Sequence, residues 1–167
     1  MRGMPGILAA LGAVMLFAAV AHAATPVLPP EPTRAEYVTA VEPICQANTE
    51  ANTRILKGAR GKVKAGKLAP AGNQFMRASS AFGNTIKQIE AVTRPPADSA
   101  RLVKWFGFLE TVKVNLGKIG KALKQGNRVK ANHEAIRAER SANAANNVSS
   151  IFSFHYCKLT PSRFSGT

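Results

Sequence analysis

Apolar side chains recur every three to four positions over most of the chain, which is the period of an amphipathic helix. The first such stripe comprises Tyr37, Val41, Ile44, Asn48, Ala51 and Ile55. Three more stripes follow, and no stretch shows the period of two that marks a half-buried strand. The pattern therefore predicts an all-α protein with four helices, at about residues 33–57, 72–93, 98–125 and 128–154.

Residues that start or stop helices mark the ends of these segments. Thr33 to Glu36 matches the capping box, in which a Thr and a Glu side chain satisfy free amides at a helix start. Pro95-Pro96 ends the second helix, and Gly126-Asn127 supplies a stop followed by a cap. Residues 58–72 mix glycine, proline and lysine without period and are predicted to form a loose connection. Long helices with short links favour an antiparallel up-down-up-down four-helix bundle.

The third and fourth predicted helices differ in composition. The third carries Trp105 and several phenylalanines, which we assign to the core in preference to a cofactor pocket. The fourth has a small-residue stripe of Ala131, Ala135, Ala138, Ala142 and Ala145. Asparagines are frequent in the first and fourth helices, at Asn48, Asn52, Asn143, Asn146 and Asn147. They would bond across the bundle if buried, but we favour the interpretation that most of them face water.

The first 32 residues have the composition of an export signal and a spacer. Residues 1–23 combine Arg2, an apolar run over residues 7–20 and the small-x-small sequence Ala21-His22-Ala23, which predicts a cleaved signal peptide. The apolar run is short for a membrane span, and a retained N-terminal anchor is the alternative. Residues 24–32 contain four prolines and are predicted to be an extended tether. We therefore expect a secreted or cell-envelope protein.

The only two cysteines of the chain, Cys45 and Cys157, lie near the two ends of the predicted domain, residues 33–158. In an exported chain such a pair predicts a disulfide, here linking the first helix to the C-terminal segment. Two free thiols, or a metal site that adds His155, are the alternatives. Residues 159–167 are predicted to be a flexible tail.

Residue patterns that carry catalysis are missing from the sequence. No Gly-x-Ser-x-Gly or Ser-x-x-Lys frames a serine nucleophile, and no Cys-x-x-Cys-His attaches haem. Only His133 and His155 remain once the leader is removed, and the acidic residues form no pair with glycosidase or metal-binding spacing. We therefore expect no enzymatic activity, no cofactor, no metal and no small-molecule substrate.

The distribution of charge points to a partner. Lysine and arginine number 23 against nine acidic residues, a net charge of +14. Two segments, residues 51–67 and 111–130, contain no acidic residue, and a four-helix bundle places both at the same end. Together they supply twelve candidate anion-binding cations: Arg54, Lys57, Arg60, Lys62, Lys64, Lys67, Lys113, Lys118, Lys121, Lys124, Arg128 and Lys130.

This surplus exceeds what helix ends explain, because cations are favoured only where a helix terminates and helices also begin at the same end. We therefore predict binding to an anionic cell-wall polymer or an acidic membrane surface. Nucleic acid is disfavoured, since stacking aromatics do not alternate with the lysines and the chain is predicted to be exported. The alternative is a structural or interaction protein without a specific ligand, whose charge serves solubility only.

Several motifs together resemble a family of uncharacterised exported small helical proteins of actinobacterial type. The shared features are the leader with its tether, a tyrosine leading to Ile-Cys (Tyr37 to Cys45), the Pro95-Pro96 break before Trp105, and an aromatic tail ending in Cys157. The resemblance implies a helical domain with one disulfide between its ends, and no known activity. Many members carry a lipid-attachment cysteine, which this chain lacks.

Overall fold

The computed structural model describes residues 30–160, in which four long helices and one short helix are joined by turns. The helices are α1 (Arg34–Leu56), α2 (Ala59–Lys64), α3 (Leu68–Glu90), α4 (Ser99–Lys124) and α5 (Arg128–Ile151), with a 3-10 turn at Pro96–Asp98. No residue in this range forms a strand, and the all-α prediction is confirmed. The predicted leader, most of the predicted tether and residues 161–167 of the predicted tail lie outside the described residues.

The start of α1 follows the sequence prediction closely. The Thr33 hydroxyl accepts a hydrogen bond from the Glu36 amide at 3.3 Å, and the Glu36 carboxylate accepts one from the Thr33 amide at 2.7 Å. These two bonds complete the capping box and satisfy two amides that have no partner within the helix. The backbone bond from Thr33 also holds the pKa of Glu36 below its usual value. Once started, α1 continues through Pro43 to Leu56.

The segment between α1 and α3 was predicted to be a loose connection, and that prediction is wrong. Residues 59–64 form α2, and α3 begins at Leu68 and not at residue 72. Gly58 and Gly66 both have φ near +74°, a left-handed conformation that suits glycine, so they bracket α2 without entering it. Ala59 is buried and anchors the short helix. Pro70 is tolerated in the first turn of α3, where a backbone amide has no helical partner.

Helix α3 lies centrally, because it contacts α1, α2 and α4, while α5 contacts α4. The closest approach between α3 and α4 is at Gly72 and Gly120. A Cβ on either glycine would lie 2.6–2.7 Å from the carbonyl oxygen of the other, so both positions exclude side chains. The alanine stripe of α5 is buried, which confirms that small residues form its packed face.

Aromatic side chains form a cluster at the start of α1 and α4, which we call the aromatic cluster: Tyr37, Trp105, Phe106, Phe152 and Phe154. All five are nearly inaccessible to solvent. Trp105 stacks on Phe154 with ring centroids 5.2 Å apart, and Phe154 stacks on Phe152 at 5.4 Å. The assignment of Trp105 to the core is therefore confirmed. Burial raises the pKa of Tyr37 to about 12.

A buried carboxylate fastens the helices beside the aromatic cluster. Asp98, only 2% exposed, accepts two hydrogen bonds from the Arg34 guanidinium at 2.6 and 2.7 Å and one from Arg101 at 3.1 Å. The hydrogen bonding from Arg34 and, to a smaller extent, from Arg101 holds the pKa of Asp98 below its ordinary value. The Arg34 guanidinium also lies over the Phe152 ring at 5.2 Å. One arginine thus ties the start of α1 to α4 and to the C-terminal segment.

Helix α5 ends at Ile151, three residues before its predicted end, and residues 152–160 turn back as a segment that we call the tail. Ser153 adopts a φ of +56° at the reversal. Cys157 then forms the predicted disulfide with Cys45, so neither thiol is free and the metal alternative loses its thiolates. The Glu42 carboxylate reinforces this attachment by accepting the backbone amides of His155 and Tyr156 at 2.6 and 2.8 Å.

The asparagines do not mostly face water. Asn143 and Asn147 are exposed, but the other three are half-buried and hydrogen-bonded. Asn48 accepts from Asn52 at 2.7 Å and from Thr85 of α3 at 3.2 Å. Asn146 exchanges two hydrogen bonds with the Leu159 backbone and so holds the tail on α5. The favoured interpretation therefore fails for Asn48, Asn52 and Asn146.

Candidate functional site

Eleven of the twelve predicted cations lie on or within about two turns of the connections that join α1 to α3 and α4 to α5. We call this region the basic end. Lys113 is the exception, because it lies three turns before the end of α4 and forms an ion pair with Glu110. The members of the basic end are Arg54, Lys57, Arg60, Lys62, Lys64, Lys67, Lys118, Lys121, Lys124, Arg128 and Lys130.

The two cationic segments come together where α3 meets α4. Gly72 lies in the second turn of α3, five residues after Lys67, and a Cβ placed on it would lie 2.8 Å from Cγ of Lys124. Lys124 is the last residue of α4. The beginning of α3 and the end of α4 are therefore in van der Waals contact, and the cations that flank this contact share one region of the surface.

Most of these cations are exposed and few meet a carboxylate. Arg54 lies 4.0 Å from the Glu50 carboxylate, and Lys62 donates to the Gln74 side chain at 2.8 Å. Within residues 30–160, no carboxylate is at ion-pair distance from Lys57, Lys64, Lys67, Lys118, Lys121, Lys124, Arg128 or Lys130. Among the described residues, the lysines of the basic end are therefore concentrated without a neighbouring carboxylate.

Helix starts at the basic end add to the electrostatic repulsion among these cations. Helices α2, α3 and α5 begin there, and none has an acidic residue in its first turn. A helix start carries a partial positive charge, so lysines beside it are repelled and an anion is attracted. Asn127 caps α5 by accepting the Lys130 amide at 2.8 Å, whereas α2 and α3 have no side-chain cap. An anionic partner would relieve this accumulated charge.

Gln74 links α1, α2 and α3 at the basic end. It is 5% exposed, and its amide donates to the backbone carbonyls of Ile55 and Lys57 at 2.7 and 2.9 Å while its oxygen accepts from Lys62. These bonds satisfy carbonyls at the end of α1 that have no helical partner. Gln74 thus fixes α1, α2 and α3 relative to one another, and with them the cations that they carry.

A cavity of about 510 Å³, which we call the cleft, adjoins the basic end. Its lining comes from four helices and the tail: Asn48, Thr49, Asn52, Thr53, Leu56, Lys57, Ala59, Arg60, Val63, Phe75, Phe82, Val112, Leu116, Lys158, Leu159 and Thr160. The sequence does not predict this cavity. Its residues are scattered over more than 100 positions and share no motif, so the periodicity that reveals a core gives no sign of it.

Other ionisable groups do not assemble into a second site. Within residues 30–160, no group of three or more His, Cys, Asp or Glu residues could hold a metal ion. His155 lies in the tail with its ring edge against Tyr156. Glu134 is buried on α5 beside Arg137, 3.5 Å away, and belongs to the packed face of that helix.

The comparisons with known proteins add no relative to this description. The sequence matches no protein-family model, no curated protein and no solved structure. Within residues 30–160, no helix combines the length and the apolar character needed to cross a bilayer. The resemblance to exported proteins of actinobacterial type stays a prediction.

Proposed function

We propose that this chain is an exported, non-enzymatic binding protein of the cell envelope whose basic end holds a phosphate-rich anionic surface. The observation that supports the proposal is the contact between Gly72, five residues beyond the first acid-free segment, and Lys124 of the second. The exposed cations of the basic end, together with the partial positive charge of the helix starts there, attract polyanions and raise the rate at which they associate.

The arrangement that we propose for the helices is an up-down-up-down antiparallel bundle, with α2 inserted in the first connection. Two pairs of contacts support it. Asn48, in the middle of α1, bonds Thr85 late in α3, while Gln74 early in α3 bonds the end of α1. Similarly, Gly72 early in α3 meets Lys124 at the end of α4, while Ser79 further along α3 donates to the Lys113 carbonyl at 2.8 Å.

The proposed location rests on two features. The disulfide between Cys45 and Cys157 fits an oxidising compartment outside the cytoplasm. The leader pattern of residues 1–23, which lies outside the described residues, supplies the signal for export. We propose that the mature chain begins at residue 24 and remains at the envelope through its affinity for anionic polymer or lipid headgroups.

The mode of binding that we propose is diffuse attraction. Eight of the eleven cations of the basic end are lysines and three are arginines. Lysine acts as a hydrated point charge, whereas arginine recognises phosphate geometry through paired donors. The basic end should therefore accept many polyanions with dense negative charge, without selecting one phosphate arrangement.

A salt titration tests this function. Binding of the oxidised mature chain to polyphosphate, to vesicles containing phosphatidylglycerol and to dextran is measured between 50 mM and 1 M salt. Polyphosphate and the vesicles represent the two sources of phosphate, wall polymer and lipid surface, and dextran is the neutral control. We expect affinity for at least one phosphate-bearing probe to fall linearly with salt on logarithmic axes, because binding releases counterions.

Two results would overturn the proposal. Retention of both probes at 1 M salt, where the Debye length is about 3 Å, would exclude charge as the source of affinity. Failure to bind either phosphate-bearing probe at 50 mM salt would favour the alternative, a structural or interaction protein whose charge serves only solubility.

A further inference from the structure

The cleft has an apolar floor. Phe75 and Phe82 of α3 and Val112 and Leu116 of α4 form it, and all four are buried, with 0–6% of their surface exposed. Leu56, Val63 and Leu159 continue the apolar lining on three other elements and are only half-buried. A volume of about 510 Å³ with a mostly apolar lining is typical of a cleft that encloses a small ligand.

Two exposed lysines from two elements border this apolar surface. Lys57 follows α1 and Lys158 belongs to the tail. None of the described lining residues is acidic. The described rim therefore carries positive charge, whereas the floor carries none.

One polar atom of the cleft lacks a partner. Oδ1 of Asn52 is inaccessible to solvent and accepts no hydrogen bond, although Nδ2 of the same side chain donates to Asn48. A buried acceptor without a donor is costly, so this atom is a locally unsatisfied point beside the cleft.

We propose that the cleft binds one single-chain amphiphile with an anionic head group. The alkyl chain lies on the Phe75, Phe82, Val112 and Leu116 floor, and the carboxylate or phosphate meets the cations of the rim. The positive charge of the rim favours an anionic head group, and the apolar floor favours an alkyl chain. An extended peptide fits less well, because a peptide backbone needs paired donors and acceptors that the aliphatic and aromatic floor does not offer.

The tail is an essential wall of this site. Leu159 is held by its two hydrogen bonds to Asn146, and the disulfide at Cys157 fixes the chain one residue before Lys158. This inference rests on the cleft and does not depend on the proposed polyanion binding at the basic end.

Titration calorimetry of the oxidised chain tests the inference at concentrations where the amphiphiles do not self-associate. The probes are laurate, myristate, palmitate, a palmitoyl lysophosphatidate and the uncharged palmityl alcohol. We expect both acids with a 16-carbon chain to bind, and the alcohol to bind at least about tenfold more weakly. Each additional pair of methylenes should strengthen binding roughly tenfold until the chain fills the cleft.

Two substitutions locate the binding site. Val63→Trp fills the cleft and should abolish amphiphile binding, whereas Val129→Trp, at a 71% exposed position of α5, is the matched control and should leave it unchanged. The double variant Lys57→Gln/Lys158→Gln should remove the preference for acid over alcohol. Lys118→Gln/Lys121→Gln, which removes the same charge outside the cleft, should retain that preference.

The inference fails if palmityl alcohol binds as tightly as palmitate, or if Val63→Trp binds like the wild type. It also fails if only a chain truncated after Thr160 binds, because the cleft would then belong to residues 161–167. Since Val63→Trp leaves the cations in place, its binding to polyphosphate should persist. Loss of amphiphile binding with retained polyphosphate binding would therefore separate this site from the proposed function.

Discussion

The aromatic cluster and the basic end share α1 and α4 but differ in how they accommodate charge. At the aromatic cluster Asp98 is buried between two arginines and every large ring is packed. At the basic end exposed lysines lie beside helix starts without nearby acids, and a cavity remains open next to them. The first region pairs its buried carboxylate and packs its rings, and the second leaves exposed lysines without ion pairs beside an open cavity.

This difference separates the sources of stability from the sources of binding. The aromatic cluster, the Asp98 ion pairs and the disulfide join the start of α1, the start of α4 and the tail into one rigid unit. Because these contacts hold the fold at the opposite side, we expect the basic end to tolerate its costly surplus of exposed charge. Substitutions should therefore reduce stability at the aromatic cluster and alter binding at the basic end.

The largest expected effect on stability comes from the disulfide. Cys45→Ala/Cys157→Ala opens a loop that spans 112 positions and should lower the free energy of unfolding by about 4–5 kcal/mol, mainly by releasing the unfolded chain. Urea unfolding at neutral pH measures the loss, with the reduced wild type as control. A double variant as stable as the oxidised wild type would show that the tail is held without the bond.

Removing Asp98 should have the next largest effect. Asp98→Ala abolishes three charge-assisted hydrogen bonds and should cost about 2 kcal/mol, measured by urea unfolding at pH 7. Because the pKa of Asp98 is lowered from 3.8, its contribution is present above pH 3.8 and is lost as the pH falls through the lower folded-state value. The variant should therefore lose less stability than the wild type on acidification. The pKa of Glu36 is also lowered, so Glu36 also contributes stability that is lost at low pH. It is present in both proteins and therefore does not affect the comparison.

The helix contact beneath the basic end allows a test with matched glycines. Gly120→Ala places a Cβ 2.7 Å from the Gly72 carbonyl oxygen and should destabilise the fold by about 1–3 kcal/mol through overpacking. Gly107→Ala, on the same helix, meets nothing within 4 Å and should stabilise it by about 0.5–1 kcal/mol. Thermal unfolding of both variants checks the contrast, and equal shifts would contradict the close approach of α3 and α4.

The smallest expected change concerns the Tyr37 hydroxyl, which is buried without a hydrogen-bond partner. Tyr37→Phe should alter stability by no more than about 1 kcal/mol at pH 8, in the stabilising direction. Because burial raises the pKa of Tyr37 to about 12, the unfolded chain ionises first as the pH rises above 10, and the wild type loses stability there. Unfolding midpoints at pH 8 and 11 should show a smaller loss for the variant, and equal losses would indicate that the hydroxyl is solvated.

Local signals made much of this fold predictable. The capping box at Thr33, the prolines before α4 and the Gly126-Asn127 stop each act within a few residues, so three of the helix starts were predicted closely. Helix α2 was missed because six residues bracketed by glycines show no measurable period. The contacts of Gln74 and Asn146 join residues distant in sequence and leave no pattern.

The candidate site was only partly predictable for the same reason. The absence of acidic residues along two segments is visible in the sequence itself. The cations of the basic end could therefore be named from the sequence. Lys113 was included wrongly in the shared region, because its pairing with Glu110 depends on helix position and not on segment composition. The cleft depends on how five elements meet, which no single stretch of sequence encodes.

The central claim is that charge at the basic end, and not charge in general, creates affinity for polyanions. Its most direct measurement compares polyphosphate binding by Lys64→Gln/Lys67→Gln and Lys118→Gln/Lys121→Gln with binding by Lys87→Gln/Lys104→Gln. All three pairs remove two exposed lysines, but only the third pair lies away from the basic end. The account predicts that the first two pairs weaken binding equally and reduce the salt slope by about two, while the third changes little. Equal loss from all three pairs would contradict it.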